Sequence, residues 1–101
     1  MKLSDRTLTL IKNFSQINQS MLFREGNILR TVDKEKSVMA QATIVESFER
    51  DFAIYDLSKF LGVISLFKEP DIILGEDAAM IVSDNQKLTY TYGDPSSFVT
   101  A

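Results

Sequence analysis

Apolar residues recur at two different spacings along this chain, and the switch between them sets out its elements. From Ser4 onward Thr7, Leu10, Ile11, Phe14 and Ile17 fall on one helical stripe, while Asp5, Thr9, Lys12 and Gln16 fall opposite, with Arg6 and Asn13 at the flank. The spacing predicts an amphipathic helix that opens at Ser4 as N-cap, carries Asp5 at the favourable end of the dipole, and ends over Asn18–Ser20. Met1–Leu3 ahead of it reads as a short strand. After the helix the period changes to two. Met21–Phe23 and Ile28–Val32 read as strands joined in a hairpin by Glu25-Gly26-Asn27, where Gly26 can take a positive φ. The charged turn Asp33–Lys36 then leads to Val38–Ile44, in which Val38, Ala40, Ala42 and Ile44 alternate with Met39, Gln41 and Thr43.

The same order of elements then repeats. Phe48–Tyr55 reads as a strand with Phe48, Arg50, Phe52 and Ile54 on one face. Asp56 caps a second helix whose core stripe is Leu57, Phe60, Leu61, Ile64 and Phe67. Val63 and Leu66 on its outer side predict that a flank is buried too, against Leu8 of the first helix, and Gly62 predicts a close approach. Lys68-Glu69-Pro70 stops the helix. Strands at Ile72–Leu74, Ala78–Ser83 and Leu88–Tyr92 follow, with turns at Gly75-Glu76-Asp77 and Asp84-Asn85-Gln86. The expected architecture is therefore α+β: two pseudo-repeated β-α-β-β-β units, 1–44 and 45–92, with two helices packed on one face of antiparallel sheet. Residues 1–93 make a single domain, and 94–101 read as a linker-like tail.

Composition narrows the chemistry. A chain of 101 residues with 45% hydrophobic and 25% charged positions suffices for one core. It contains neither cysteine nor histidine, which excludes disulfides, thiolate nucleophiles, imidazole acid/base catalysis and the common zinc sites. A hydrolase would have to work with carboxylates. Glu46, Glu49, Asp51 and Asp56 crowd one segment, but a metal-dependent nuclease needs such groups to converge on a cation, and charges on the wet side of a strand account for them better. Tyr90 and Tyr92 suit cross-strand packing more than a stacking platform for single-stranded nucleic acid. The turn glycines form no phosphate-binding loop. No signal-peptide pattern opens the chain and no apolar run is long enough to cross a bilayer, so the expectation is a soluble, intracellular protein. A formal net charge of −3 argues against gripping nucleic acid by bulk charge but allows a locally basic face.

Four stretches carry a resemblance: the opening MKLS, the helix text LIKNFSQIN, the block DFAIYDLSKFLGVISL and the terminal GDPSSFV. They span nearly the whole chain, and in that order the sequence resembles the N-terminal domain of the DNA polymerase sliding clamps, or processivity factors, of T-even-type bacteriophages. The resemblance implies a DNA-clamp fold in a ring that encloses duplex DNA, helices inside and sheets outside, built in the family from three two-domain subunits. It implies no catalytic activity and no cofactor or metal. Its implied partners are duplex DNA held weakly and without sequence preference, DNA polymerase, a clamp loader and late-transcription factors, in the cytoplasm of the infected bacterial host and with no membrane. A sliding contact favours a few cations over a dense basic patch. The resemblance places Lys12, in its KNF context, on the DNA-facing side of the first helix, with Arg6, Lys59 and Lys68 as further candidates. The second clamp domain is absent from this sequence. A fragment, a natural truncation and a single-domain clamp needing six copies are the three explanations, and the open tail GDPSSFVTA favours the fragment, expected to be a monomer or weak dimer alone. The alternative function is a stand-alone phage interaction module of clamp-like fold that does not encircle DNA, which a strongly apolar exposed patch would favour.

Overall fold

Both helices start where a side-chain oxygen replaces a missing backbone partner. In the computed structural model, which describes residues 1–94, Ser4 Oγ accepts from Thr7 N and opens α1 (Asp5–Ser15), and Asp56 accepts from Lys59 N and opens α2 (Leu57–Ser65). Around them run β1 (Met21–Phe23), β2 (Gly26–Val32), β3 (Met39–Phe48), β4 (Phe52–Ile54), β5 (Asp71–Leu74), β6 (Ala78–Ser83) and β7 (Gln86–Thr91). Among the described residues all pairing is antiparallel, in three sheets: β1-β4, β2-β3 and β5-β6-β7. The α+β architecture expected from the hydrophobic pattern is present. The expected tail, apart from Asp94, lies outside the described residues.

The hairpin expected between Met21–Phe23 and the next strand does not form. β1 pairs instead with β4, in the register Phe23↔Phe52, and the two rings stack with centroids 4.6 Å apart. Phe48 meets both rings edge-on, at 5.5 Å and 5.3 Å, so an aromatic triad fixes the pairing that the intervening turn residues left open. Gly26 keeps its positive φ of 110°, but as the first residue of β2 opposite Phe48, where the ladder register slips. The Arg24-Glu25 link is tied down by Asp51, which accepts from Glu25 N at 2.7 Å and pairs with Arg24 at 3.5 Å. The long strand expected over Phe48–Tyr55 is consequently broken: β3 runs through Ile44 and Val45 to Phe48, a bend takes Glu49–Asp51, and only Phe52–Ile54 resumes as strand.

Met1–Leu3 forms no strand of its own, yet Met1 N donates to Ile72 O at 3.0 Å and Ile72 N to Met1 O at 2.7 Å. This small pairing mirrors the β1-β4 ladder. In each half the segment before the helix pairs with the first strand after the other half's helix, so the halves are cross-laced. A single core results, running from Ile11 and Phe14 through Phe23, Phe52 and Ile54 to Phe60, Ile64, Ile72 and Ile81.

The helices lie side by side with opposite polarity. Just past the end of α1, Gln19 O accepts from Leu57 N at 2.7 Å and Gln19 Oε1 from Ser58 Oγ at 3.0 Å, tying that end to the start of α2. At the other end Leu3 and Asp5 share a groove with Ser65 and Phe67. Leu8 is half-buried beside Leu61 and Ile64 of the core stripe, and Val63, on the flank predicted to be covered, is half-buried too. Leu66 is not: it caps the C-terminus of α2 and stays 74% exposed. Gly62 permits no close approach either, since it faces open space and a Cβ there meets nothing within 4 Å. The close approach occurs at Gly75, where a Cβ would sit 2.8 Å from Ala78 O across the β5-β6 turn.

Candidate nucleic-acid interface

The paired helices fix where the predicted cations stand. Lys12 lies in the last turn of α1, exposed, at the edge of a shallow groove of about 210 Å³ between the helices that Leu8, Thr9, Leu61, Ile64 and Ser65 complete. Lys59 lies exposed in the first turn of α2, next to the Gln19–Ser58 tie. Because the helices run in opposite directions, these two lysines fall in the same half of the helix layer. Arg6 and Lys68 fall in the other half. Arg6 is exposed, but its guanidinium turns back to donate to Thr43 O at 3.2 Å, across to the edge of β3. Lys68 stands beyond the end of α2, where its carbonyl accepts from Ser83 Oγ. Among the described residues none of the four is in an ion pair. The four therefore do not form one cluster. Lys12 and Lys59 present free ammonium groups on the outer side of the helices, whereas Arg6 is engaged with the strand behind it and Lys68 has left the helix.

The carboxylates of the acidic segment are dispersed over separate structural tasks. Glu46 reaches the start of α1, where its two oxygens accept from Ser4 N and Thr7 Oγ1, both at 2.6 Å. Partial burial alone would raise its pKa, but the hydrogen bonds from Thr7 and Ser4 outweigh it and hold the carboxyl below its ordinary value. Asp51 ties the β1-β2 link and Asp56 caps α2, so among the described residues no group of three acids converges on a cation site. Sequence reasoning missed the role of Glu46. No local signal announces it, because its partners lie on another element and only the fold brings them together.

Tyr90 of β7 and Tyr92 just beyond it pack against the core. Tyr90 meets Phe60 edge-on at 5.3 Å and Tyr92 leans on Phe52 at 5.5 Å. Their hydroxyls donate to Asp56 O and Gly75 O. Burial raises both pKa values, with the Asp56 charge adding to the effect at Tyr90. Neither ring is free to stack on a base.

A fold with two outward helices, two free lysines in one half of their layer and no convergent acid group can be set beside known proteins. The profile of the DNA polymerase processivity factor family matches residues 2–97. The chain belongs to that family. Among curated relatives, the sliding clamp of Vibrio phage KVP40 is 36% identical over 101 residues, covering 99% of this chain and 45% of the relative. The sliding clamp of Enterobacteria phage T4 is 35% identical over 98% of this chain and 44% of its own length. That of Escherichia phage RB69 is 32% identical over 89% of this chain and 40% of its own length. The chain thus spans less than half the length of the curated relatives it matches.

Proposed function

We propose that this chain is a domain of a DNA sliding clamp, a non-catalytic processivity factor that encircles duplex DNA and tethers the replicative polymerase. The family match over residues 2–97 carries the reading. The helix layer supports it, with Lys12 and Lys59 as the foremost phosphate-facing groups and with Arg6 and Lys68 joining them only on leaving their present surroundings. Two exposed ammonium groups on an acidic body suit a contact that must slide: each phosphate contact is weak and salt-labile, and enclosure supplies the residence time. A clamp loader and late-transcription factors are the further partners, and the infected bacterial cell is the place of action. Among the described residues no helix is long and apolar enough to cross a membrane. The cross-laced halves support descent from a doubled β-α-β-β-β unit, and the outer edge of β7, which pairs with no further strand among the described residues, suits assembly edge to edge into a ring. The 101-residue chain by itself is then a monomer or weak dimer, which sedimentation equilibrium over a concentration series checks.

The reading is tested by loading the whole encoded protein, with its loader, onto nicked circular duplex DNA and following it by gel filtration. Retention on the circle, and escape once the circle is linearised, is the expected result. Equal retention on both forms, or none on either, would remove encirclement as the function.

A further inference from the structure

A concavity opens where the start of α1, the end of α2 and β3 meet. It is a groove of about 490 Å³, within the range of sites that accept a bulky side chain or small ligand. Leu3, Leu8, Ile64, Phe67 and Ile72 give it an apolar lining, and Val45 stands at its margin 83% exposed, an unusual position for a β-branched apolar residue in the middle of a strand. Its charged lining is one-sided: Asp5, Glu46 and Glu69 against Lys2 alone. The nearby Arg6 does not restore the balance, because it is held on Thr43 O. Glu46 is kept ionised by the two hydrogen bonds it accepts at the start of α1, so its negative charge is a fixed part of the groove.

We infer that this groove docks a short segment of a partner protein that inserts an apolar side chain between Leu8, Val45 and Phe67 and sets a lysine or arginine against Asp5 and Glu69. Charge complementarity selects this occupant. Three carboxylates repel a phosphate backbone and an acidic peptide alike, while an uncharged apolar ligand gains nothing from the rim charges. The apolar insertion supplies affinity and the basic flank supplies the choice of partner. The groove lies at the end of the helix pair opposite Lys59 and adjoins the shallower groove beside Lys12, with which it shares Leu8, Ile64 and Ser65. The inference does not depend on the clamp reading, and its test contains no DNA.

The test is an amide-shift titration of the 101-residue chain with the blocked peptide Ac-Lys-Leu-Phe-Arg-amide and, separately, with Ac-Glu-Leu-Phe-Glu-amide. Saturable shifts at Leu3, Leu8, Val45 and Phe67 with the basic peptide, and none with the acidic one, are expected. Glu69→Lys, an exposed position, weakens the basic peptide about three-fold, the scale of one exposed charge pair, and Val45→Lys weakens it further. Lys34→Ala, in the exposed turn between β2 and β3, leaves it unchanged. The peptide comparison on the unaltered chain stands whether or not a variant folds. Shifts that are alike for both peptides, that fail to saturate, or that centre elsewhere would overturn the inference. So would shifts at these residues that follow protein concentration without peptide, since they would assign the groove to a second copy of the chain.

Discussion

The two helices occupy equivalent places in the cross-laced halves but bury different surfaces. The buried stripe of α1 contains two hydroxyls, Thr7 and Ser15, beside Ile11 and Phe14, and its start is fixed by the Glu46 carboxylate and by Arg6 on Thr43 O. The buried stripe of α2 is apolar throughout, Leu57, Phe60 and Ile64, with Phe60 against the Tyr90 ring, and its start is also held by the Asp56 cap and by the Gln19 bonds to Leu57 N and Ser58 Oγ. Both starts are pinned by polar bonds, but the buried stripe of α1 mixes hydroxyls with apolar side chains and that of α2 is apolar throughout. The difference teaches how a duplicated framework divides its work. Outside its mixed stripe α1 shows a largely polar outer face with Lys12, while α2 depends on burial and shows fewer polar groups.

The largest effect that would break this comparison is Phe60→Ala. It removes a 2% exposed ring and its edge contact, and should cost about 3–5 kcal/mol in chemical denaturation, with α2 loosened first. A loss of under about 1 kcal/mol would mean that apolar area does not hold α2.

Next is Glu46→Ala, which strips the acceptor from Ser4 N and Thr7 Oγ1 and should cost about 1–3 kcal/mol. The isosteric Glu46→Gln adds a pH test. The Glu46 pKa is lower folded than unfolded, so its contribution is fully present above the ordinary value of 4.5 and fades as pH falls through the lower folded value. Stability curves of the parent and the glutamine variant should therefore be separated at neutral pH and converge in acid. Parallel curves would contradict the role. Asp33, also lowered, chiefly by the hydrogen bond from Val38 N, fades in both proteins and cancels.

Asp56→Ala removes the side-chain cap of α2 and should cost about 1 kcal/mol, less than the loss of Phe60, if burial is the main hold on this helix. The smallest effect has the opposite sign. Gly62→Ala should raise stability by up to about 1 kcal/mol, because the position is helical, exposed and unobstructed. A drop would show a neighbour that the free space does not reveal.

What was legible in the sequence was local. The caps at Ser4 and Asp56 act over three residues, and the turn at Asp33–Lys36 closes on itself, with Asp33 accepting from Ser37 N and Val38 N. The strand over Ala78–Ser83 has the bounds its pattern predicts. What was hidden depended on distant partners. Nothing next to Met21–Phe23 says that Phe23 prefers Phe52 to the strand that follows, and so a hairpin looked reasonable. Gly62 and Leu66 misled for a related reason: helical periodicity assigns a face, but only the neighbouring element decides how wide the buried stripe is. At the candidate interface the periodicity of α1 already put Lys12 outside. That Arg6 turns back to β3, and that Lys59 shares a half of the layer with Lys12, required the antiparallel arrangement of the helices.

The central claim is that the outer side of the helix layer is the side that meets DNA. The most direct measurement is an amide-shift map of the chain with a short random-sequence duplex at low ionic strength, where weak phosphate contacts are least screened. The account predicts shifts at Thr9, Lys12, Asn13 and Lys59 that vanish with added salt and with the double variant Lys12→Glu/Lys59→Glu. Shifts centred on β2 and β3 and indifferent to that variant would contradict it.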